Sequence, residues 1–207
     1  IDRTIDELPY DCVMSNNYAG ARQLMEHLIE LGHQRIVFVS HPQMSVSTVQ
    51  NRHKAYRDVM QEYGLTPESA WLIGRPDCEI NAGQTLRACT NRHSLEIKHF
   101  SKYMETPDKP TAIFAVNDYL ALLVMRGLQF MKLRVPDDVS IVGFDDTDLS
   151  AYVEVPLTTV AQDSFLIGKI AAQHLIHRMR GEGQPINQKV IPTQLRIRSS
   201  TAIPVMA

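Results

Sequence analysis

Two pairs of polar residues and one arginine carry the chemistry that this sequence could perform. Asp145 and Asp146 close the apolar run Val139–Phe144, and Asn117 and Asp118 close the apolar run Ala112–Val116. A carboxylate in such a place accepts hydrogen bonds from a hydroxylated small molecule in a partly dry cleft. An asparagine beside it can donate and accept at once. Each pair also has a plainer reading. Aspartate favours turns and caps, and Asn117 stands where it would cap a helix beginning at Tyr119. Arg52 follows the polar loop Ser45–Asn51 near the start of a helix. A guanidinium there could fork onto two ligand oxygens, although a lone arginine is more often a solvated surface group. Adjacent aspartates do not suit glycoside hydrolysis. That chemistry needs two carboxyls about 5 Å or more apart flanking a sugar, and neighbouring extended residues point to opposite sides.

The elements that must position these residues follow from hydrophobic periodicity. Cys12–Met14, Ile36–Val39, Trp71–Ile73, Ala112–Val116, Ser140–Phe144, Lys189–Ile191 and Leu195–Ile197 read as strands. Ala21, Leu24, Met25, Leu28 and Ile29 repeat at helical spacing up to the stop at Gly32, with His27 and His33 flanking that stop as structural residues. Ala55, Val59, Met60 and Tyr63 define a second helix, closed by Gly64. Asn81–Met104 is helical in parts, with Leu86, Leu95, Ile97 and Phe100 as core contacts, and Tyr119–Met131 and Phe165–Met179 are further helices. Strands alternating with helices, the strands almost wholly apolar, predict an α/β fold: a parallel sheet with helices on both faces. Ligands in such sheets lie beyond the carboxyl ends of the strands. Both polar pairs fall at that edge.

Composition removes several alternatives. The 207 residues are 44% hydrophobic, enough for a substantial core without staples. Lys and Arg number 21 against 23 Asp and Glu, a net of −2, which does not suit gripping a polyanion across the surface. Cys12, Cys78 and Cys89 are odd in number and lack C-x-x-C spacing, so a disulfide framework is not expected. No His/Cys cluster suggests a metal site. No apolar run approaches the roughly 18 residues of a membrane span. No G-x-G-x-x-G, phosphate-binding G-x-x-x-x-G-K or G-x-S-x-G motif is present, so neither an enzyme nor a cofactor is expected.

Four longer stretches carry a resemblance. "EHLIELGHQRIVFVS" (Glu26–Ser40), "PTAIFAVNDYLALLVMRGLQFMKLRVPDDVSIVGFDD" (Pro110–Asp146), "PLTTVAQD" (Pro156–Asp163) and "LRIRSST" (Leu195–Thr201) look like the effector-binding core of LacI/GalR-type bacterial transcriptional repressors. The resemblance covers nearly the whole chain, and the combination of these motifs is far more specific than any single pair.

The resemblance implies a periplasmic-binding-protein-like type I fold. Two α/β lobes are joined by three crossovers, and a small effector, a sugar or a nucleobase, lies between them. By alignment, residues 1–15 and 164–191 are expected to be a remnant of the N-terminal lobe, and residues 16–162 and 193–207 the C-terminal lobe. The implied effector-binding residues are Asp145, Asn117, Arg52, Gln162, Asp118, Ser47, Thr48, Cys78 and Asn16. Relatives often place a ring-stacking aromatic near Cys78 and an aspartate at Ser15, and this chain does not. The resemblance further implies a cytoplasmic bacterial regulator that is a homodimer when full-length. Operator DNA is contacted only through a helix-turn-helix expected to be absent here, along with most of the first lobe. On that expectation the apolar face of the Phe165–Met179 helix (Leu166, Ile170, Leu175, Ile176) is exposed or partner-covered. The transport version of the fold, a periplasmic sugar-binding protein, is the alternative.

Overall fold

The computed structural model describes residues 1–3, 10–41, 44–68, 71–72, 95–181, 186 and 188–205. Its elements run in chain order as β1 (Cys12–Ser15), α1 (Asn17–Glu30), β2 (Ile36–Ser40), α2 (Ser47–Glu62), β3 (Trp71–Leu72), α3 (Leu95–Met104) and β4 (Ala112–Ala115). They continue with α4 (Asp118–Phe130), β5 (Ser140–Val142), α5 (Asp148–Tyr152), β6 (Thr159–Ala161), α6 (Ser164–Met179), β7 (Gln188–Ile191) and β8 (Gln194–Arg196). The expected helical stretch from Asn81 to Ser94, with Leu86, and the strand end at Ile73 lie outside the described residues.

The central sheet has the order β3-β2-β4-β5, and all its strands are parallel. Every residue of β2 and β4 is buried, as expected for strands covered on both faces. Phe38 on β2 meets Phe114 on β4 edge to face, with ring centroids 5.1 Å apart, and Tyr56 of α2 packs on Phe38. The phenol of Tyr56 donates to the Ile36 carbonyl, so its buried hydroxyl is satisfied. Helix α1 stops at Gly32, whose φ of 96° suits glycine. The His33 amide then donates back to Leu28, closing the helix with a left-handed cap.

Two smaller sheets differ from a single parallel layer. β1 and β7 pair in parallel, and β6 and β8 pair antiparallel. The latter pair is tied to β5 through bridges between Val142 and Thr158 and between Asp145 and Ala161. Strand β5 therefore ends earlier than its apolar run. Beyond Val142 the backbone leaves β4 and runs beside β6 instead, with Gly143 donating to Thr158 and Asp145 to Val160.

Helix α2 begins earlier than expected. Ser47 and Thr48 belong to its first turn and not to a loop. The reason lies in its buried stripe of Val49, Arg52, Ala55, Tyr56, Val59 and Met60, which keeps a helical period with an arginine inside it. Around α6, Val13, Ile167 and Ile191 form a separate small core with Leu166 and Ile170 against it. Leu175 and Ile176 on the same helix are exposed, as are Phe165 and Met179.

His33 ties the lower end of the sheet together. Its Nε2 faces the Ala202 carbonyl at 2.9 Å and so carries the proton, while Nδ1 accepts from the Thr111 hydroxyl at 3.0 Å. Burial pushes its pKa down to about 4. A depressed folded value means that the folded state binds fewer protons than the unfolded chain between about 4 and 6.5. The stabilising contribution is then full above pH 6.5 and is lost as pH falls through 4, a difference of up to roughly 3 kcal/mol. Urea midpoints between pH 4 and 8 should fall on acidification, and His33→Gln should flatten part of that slope. Equal slopes in both proteins would contradict the assignment.

Candidate functional site: a polar cleft at the carboxyl edge of the sheet

Residues just past the carboxyl ends of three central strands build one cleft of about 810 Å³. His41 comes directly after β2, Val116 and Asn117 after β4, and Asp145 a turn beyond β5. Thr48 and Arg52 come from α2, Gln162 and Ser164 from the exit of β6, and Asp2 and Arg3 from the beginning of the chain. The volume lies in the range of small-molecule sites.

Arg52 is 5% exposed, a cation set inside the apolar stripe of α2. Its Nε donates to Asn17 Oδ1 at 2.8 Å, and its Nη1 donates to the Val116 carbonyl at 2.7 Å. Nη2 lies 3.3 Å from Asp145 Oδ1. The guanidinium plane stacks on Phe144, with Cζ 3.7 Å from the ring centroid. Burial lowers its pKa, and the Asp145 charge opposes that shift. A guanidinium starts high enough to remain a cation throughout.

Asp145 is the partner that the cleft can reach, with its side chain 31% exposed. The amide of Gln162 donates to the same Oδ1 at 2.6 Å, and Gln162 Oε1 accepts from the Ser15 hydroxyl. A continuous polar chain thus runs from Asn17 through Arg52, Asp145 and Gln162 to Ser15 at the end of β1. Burial raises the Asp145 pKa to about 6; Arg52 works against this and the nearby Asp118 charge adds to it.

The two adjacent aspartates are not extended, so the alternation argument is replaced by a turn. Their φ angles are 122° and 54°. The first is a strained value for a residue with a side chain, and such conformations persist only where the surroundings hold them. Asp145 turns to Arg52 and Gln162. Asp146 turns away to Arg198 Nη2 at 2.5 Å, with Arg196 at 3.9 Å. A carboxylate committed to Arg198 does not serve as the second carboxyl of a glycosidase.

Asp118 holds that turn from beneath and does not line the cleft. It is wholly buried. Its Oδ2 accepts from the Thr147 amide and hydroxyl, and its Oδ1 accepts from the Thr159 hydroxyl. Burial raises its pKa, and the Thr159 and Thr147 hydrogen bonds resist that shift. Gly143 gives it room, because a Cβ there would stand 2.5 Å from Asp118 Oδ1 and 2.8 Å from Leu157.

The structure gathers Asp145, Arg52, Gln162, Asn117 and Thr48 around the cleft. Asn117 also caps α4, its Oδ1 accepting from the Leu120 amide. Asn16 caps α1 and does not line the cleft. Ser47 is absent from the lining as well, one helical position from Thr48. Cys78 lies outside the described residues. The sequence reading missed His41, although it stands past a strand end just as Asp145 does, and it missed Asp2 and Arg3, which no local pattern marks. Among the described residues no group of His, Cys, Asp or Glu is arranged to hold a metal ion.

A parallel sheet with a polar cleft along its carboxyl edge, closed at one side by a relay to a second strand pair, is the arrangement in which open α/β sheets hold their ligands. The chain belongs to the periplasmic binding protein-like domain family, whose model matches residues 25–201, in the form carried by LacI-type regulators. The HTH-type transcriptional repressor PurR of Aliivibrio salmonicida is 33% identical over 170 residues, which is 82% of this chain and 46% of the relative. A LacI family transcriptional regulator from Mycobacterium smegmatis superposes with a TM-score of 0.82 at 27% identity, covering 99% of this chain and 70% of that one. A LacI family transcriptional regulator from Enterococcus faecium with bound ribose gives a TM-score of 0.78 at 25% identity, covering 97% and 68%. The chain spans about half the length of the curated relatives it matches. These relatives are named as transcriptional repressors and regulators, not as enzymes. No helix among the described residues is long and apolar enough to cross a membrane.

The supports beneath the cleft should matter more to stability than its rim. Asp118→Ala, which strands the Thr147 and Thr159 donors, should cost about 3 kcal/mol. Asp148→Ala, at an exposed position, should change stability by less than about 0.5 kcal/mol. Denaturant titration of both variants checks this ordering, and comparable losses would contradict it.

Proposed function

We propose that this chain is the effector-binding and dimerisation domain of a LacI-type transcriptional regulator. It senses a small, neutral, hydroxylated metabolite, a sugar, and controls operator binding by an N-terminal helix-turn-helix of the full-length protein. On this reading the protein is a cytoplasmic homodimer and not a catalyst. The observation that carries the proposal is the solvent-reachable Asp145 carboxylate, fixed between Arg52 and Gln162 in the cleft. A carboxylate held in this way accepts ligand hydroxyls with charge-assisted strength. Ribose in a structural relative supports the sugar class, and the repressor names of the relatives favour regulation over transport.

The charge of the lining favours an uncharged ligand. Among the described lining residues, Asp145 already answers Arg52 and Asp146 is held by Arg198, which leaves Asp2 and Asp148 against Arg3. A phosphorylated sugar would meet more carboxylate than guanidinium.

The domain division belongs to the same proposal. Residues 1–15 and 164–191, with β1, α6 and β7, belong to one lobe; residues 16–162 and 193–207 belong to the other. Ser15 and Gln162 then lie at the crossovers, and their hydrogen bond joins the lobes beside the ligand. An effector that binds one lobe arrangement better than the other shifts the population between them, and DNA affinity shifts with it.

Calorimetric titration with ribose and related neutral sugars tests the reading. Asp145→Asn and Arg52→Ala should each weaken binding by at least tenfold, whereas unchanged affinities would sink the assignment. Binding should also weaken as pH falls below about 6, because protonated Asp145 loses acceptor capacity, and Asp145→Asn should remove that dependence. Ribose 5-phosphate should bind more weakly than ribose, and tighter binding would overturn the neutral-ligand reading.

A further inference from the structure

The ion pair of Arg52 with Asp145 has two hydrogen-bonded arms, and both end at Ser15. On one arm, Arg52 Nε donates to Asn17 Oδ1 at 2.8 Å, and Asn17 Nδ2 donates to the Ser15 carbonyl at 3.1 Å. On the other, Gln162 Nε2 donates to Asp145 Oδ1 at 2.6 Å, and Gln162 Oε1 accepts from the Ser15 hydroxyl. The five residues close a ring. Ser15 and Asn17 are each 3% exposed, and neither lines the cleft. The Ser15 amide is committed as well, to Asp2 Oδ1 at 2.9 Å. Amide, carbonyl and hydroxyl of this one residue are thus all engaged.

The charged members force the polarity of the ring. A guanidinium only donates, so Asn17 turns its oxygen to Arg52 and has its NH2 left for Ser15. An ionised carboxylate only accepts, so Gln162 turns its NH2 to Asp145 and its oxygen to Ser15. The side chain at position 15 must then donate. A hydrocarbon there would leave Gln162 Oε1 without its partner. A carboxylate there would compete for the amide hydrogens of Gln162 and turn the amide oxygen onto Asp145. The two ends of an amide differ little in shape, so its hydrogen-bond partners select its orientation.

We propose that Ser15 is a positioning residue for the effector site: its hydroxyl holds Gln162 with the NH2 toward Asp145, and so keeps Asp145 an acceptor for ligand hydroxyls. The inference rests on the cleft being the effector site. Ser15 acts on the ligand from outside the cleft, through Gln162.

The test is calorimetric titration of the full-length protein with ribose, cellobiose and adenosine, on either side of about pH 6, where Asp145 titrates. The proteins are the wild type, Ser15→Ala, Ser15→Asp, Gln162→Ala, the Ser15→Ala/Gln162→Ala double variant and Asp145→Asn. Ser15→Ala should weaken the best probe about fivefold, the loss of one hydrogen bond, and Ser15→Asp should weaken it further. Binding by Ser15→Ala should also fail at a higher pH than in the wild type, because the Asp145 anion is less firmly held. Arg52 of α2, Asp118 of α4, Asp2 and Gln162 face Asp145. Ser15→Ala alters none of their charges, so the shift reports the Gln162 amide. In the Gln162→Ala background, Ser15→Ala should change affinity by less than about twofold, whereas a merely structural role would add its full loss. If Ser15→Ala binds as the wild type does at every pH, or its loss adds fully to that of Gln162→Ala, while Asp145→Asn loses the probes, the Ser15 inference falls and the effector site stands. If no probe binds the folded wild-type protein, or Asp145→Asn binds them unchanged, both fall. Should Ser15→Ala lose its fold by circular dichroism, Ser15→Cys, a weaker donor, replaces it on the same terms.

Discussion

A guanidinium buried in an apolar helix stripe is the constraint around which this cleft is organised. Arg52 takes the place of a core side chain on α2, where removing its charge from water carries a large penalty unless every part of it is answered. Asn17, the Val116 carbonyl, Asp145 and the face of Phe144 answer it from four directions. A hydrophobic residue at this position would satisfy packing more simply. Placing a cation there instead fixes a carboxylate at the cleft surface, in one orientation, before any ligand arrives. That preorganisation reduces the ordering cost of binding.

The second half of the arrangement keeps Asp145 in a backbone conformation that it would not choose. Its positive φ persists because the neighbouring segments leave little alternative. The Asp145 amide is bonded to Val160, the Thr147 amide to Asp118, and the Asp146 side chain to Arg198. Asp118 belongs to the first turn of α4, Val160 to β6, and Arg198 to the segment after β8. Three separate parts of the chain therefore converge on three consecutive residues, Asp145 to Thr147. Gly143 allows the closest of these approaches, since the space a Cβ would need is already taken by the Asp118 carboxylate.

Much of this was legible from residue pattern. The strand ends at Val116 and Phe144 gave the carboxyl edge to within two residues, and Asn117 declared its capping role by standing before a helical period. Other parts were not legible, for identifiable reasons. The spacing of Val49, Arg52, Tyr56 and Val59 contains the burial of Arg52, but an arginine in an otherwise apolar stripe reads as a helix boundary until the structure joins the two sides. Aspartate signals a left-handed turn far less strongly than glycine or asparagine-glycine, so the Asp145-Asp146 turn passed for an extended strand end. β6 has three residues and α5 has five, too few for any period to show. Asp118 carries the same residue type as Asp145 in the same setting, yet it points down into the core because Thr147 and Thr159 wait there, and that distinction depends on contacts distant in sequence.

The polar chain from Arg52 to Ser15 bears on how a ligand could have consequences beyond its own pocket. Gln162 gives its amide to Asp145 and accepts the Ser15 hydroxyl, so a single side chain reads the state of the cleft carboxylate and holds the end of β1. Oδ1 of Asp145 already receives both Arg52 and Gln162. A ligand hydroxyl arriving there competes for the same lone pairs or adds to them, and in either case changes how firmly Gln162 is held. Under the proposed division into lobes, the bond altered is one that crosses between them. Ligand binding and lobe arrangement then share a hydrogen bond, and this gives an effector the unequal affinity for two arrangements without which no population shift can occur.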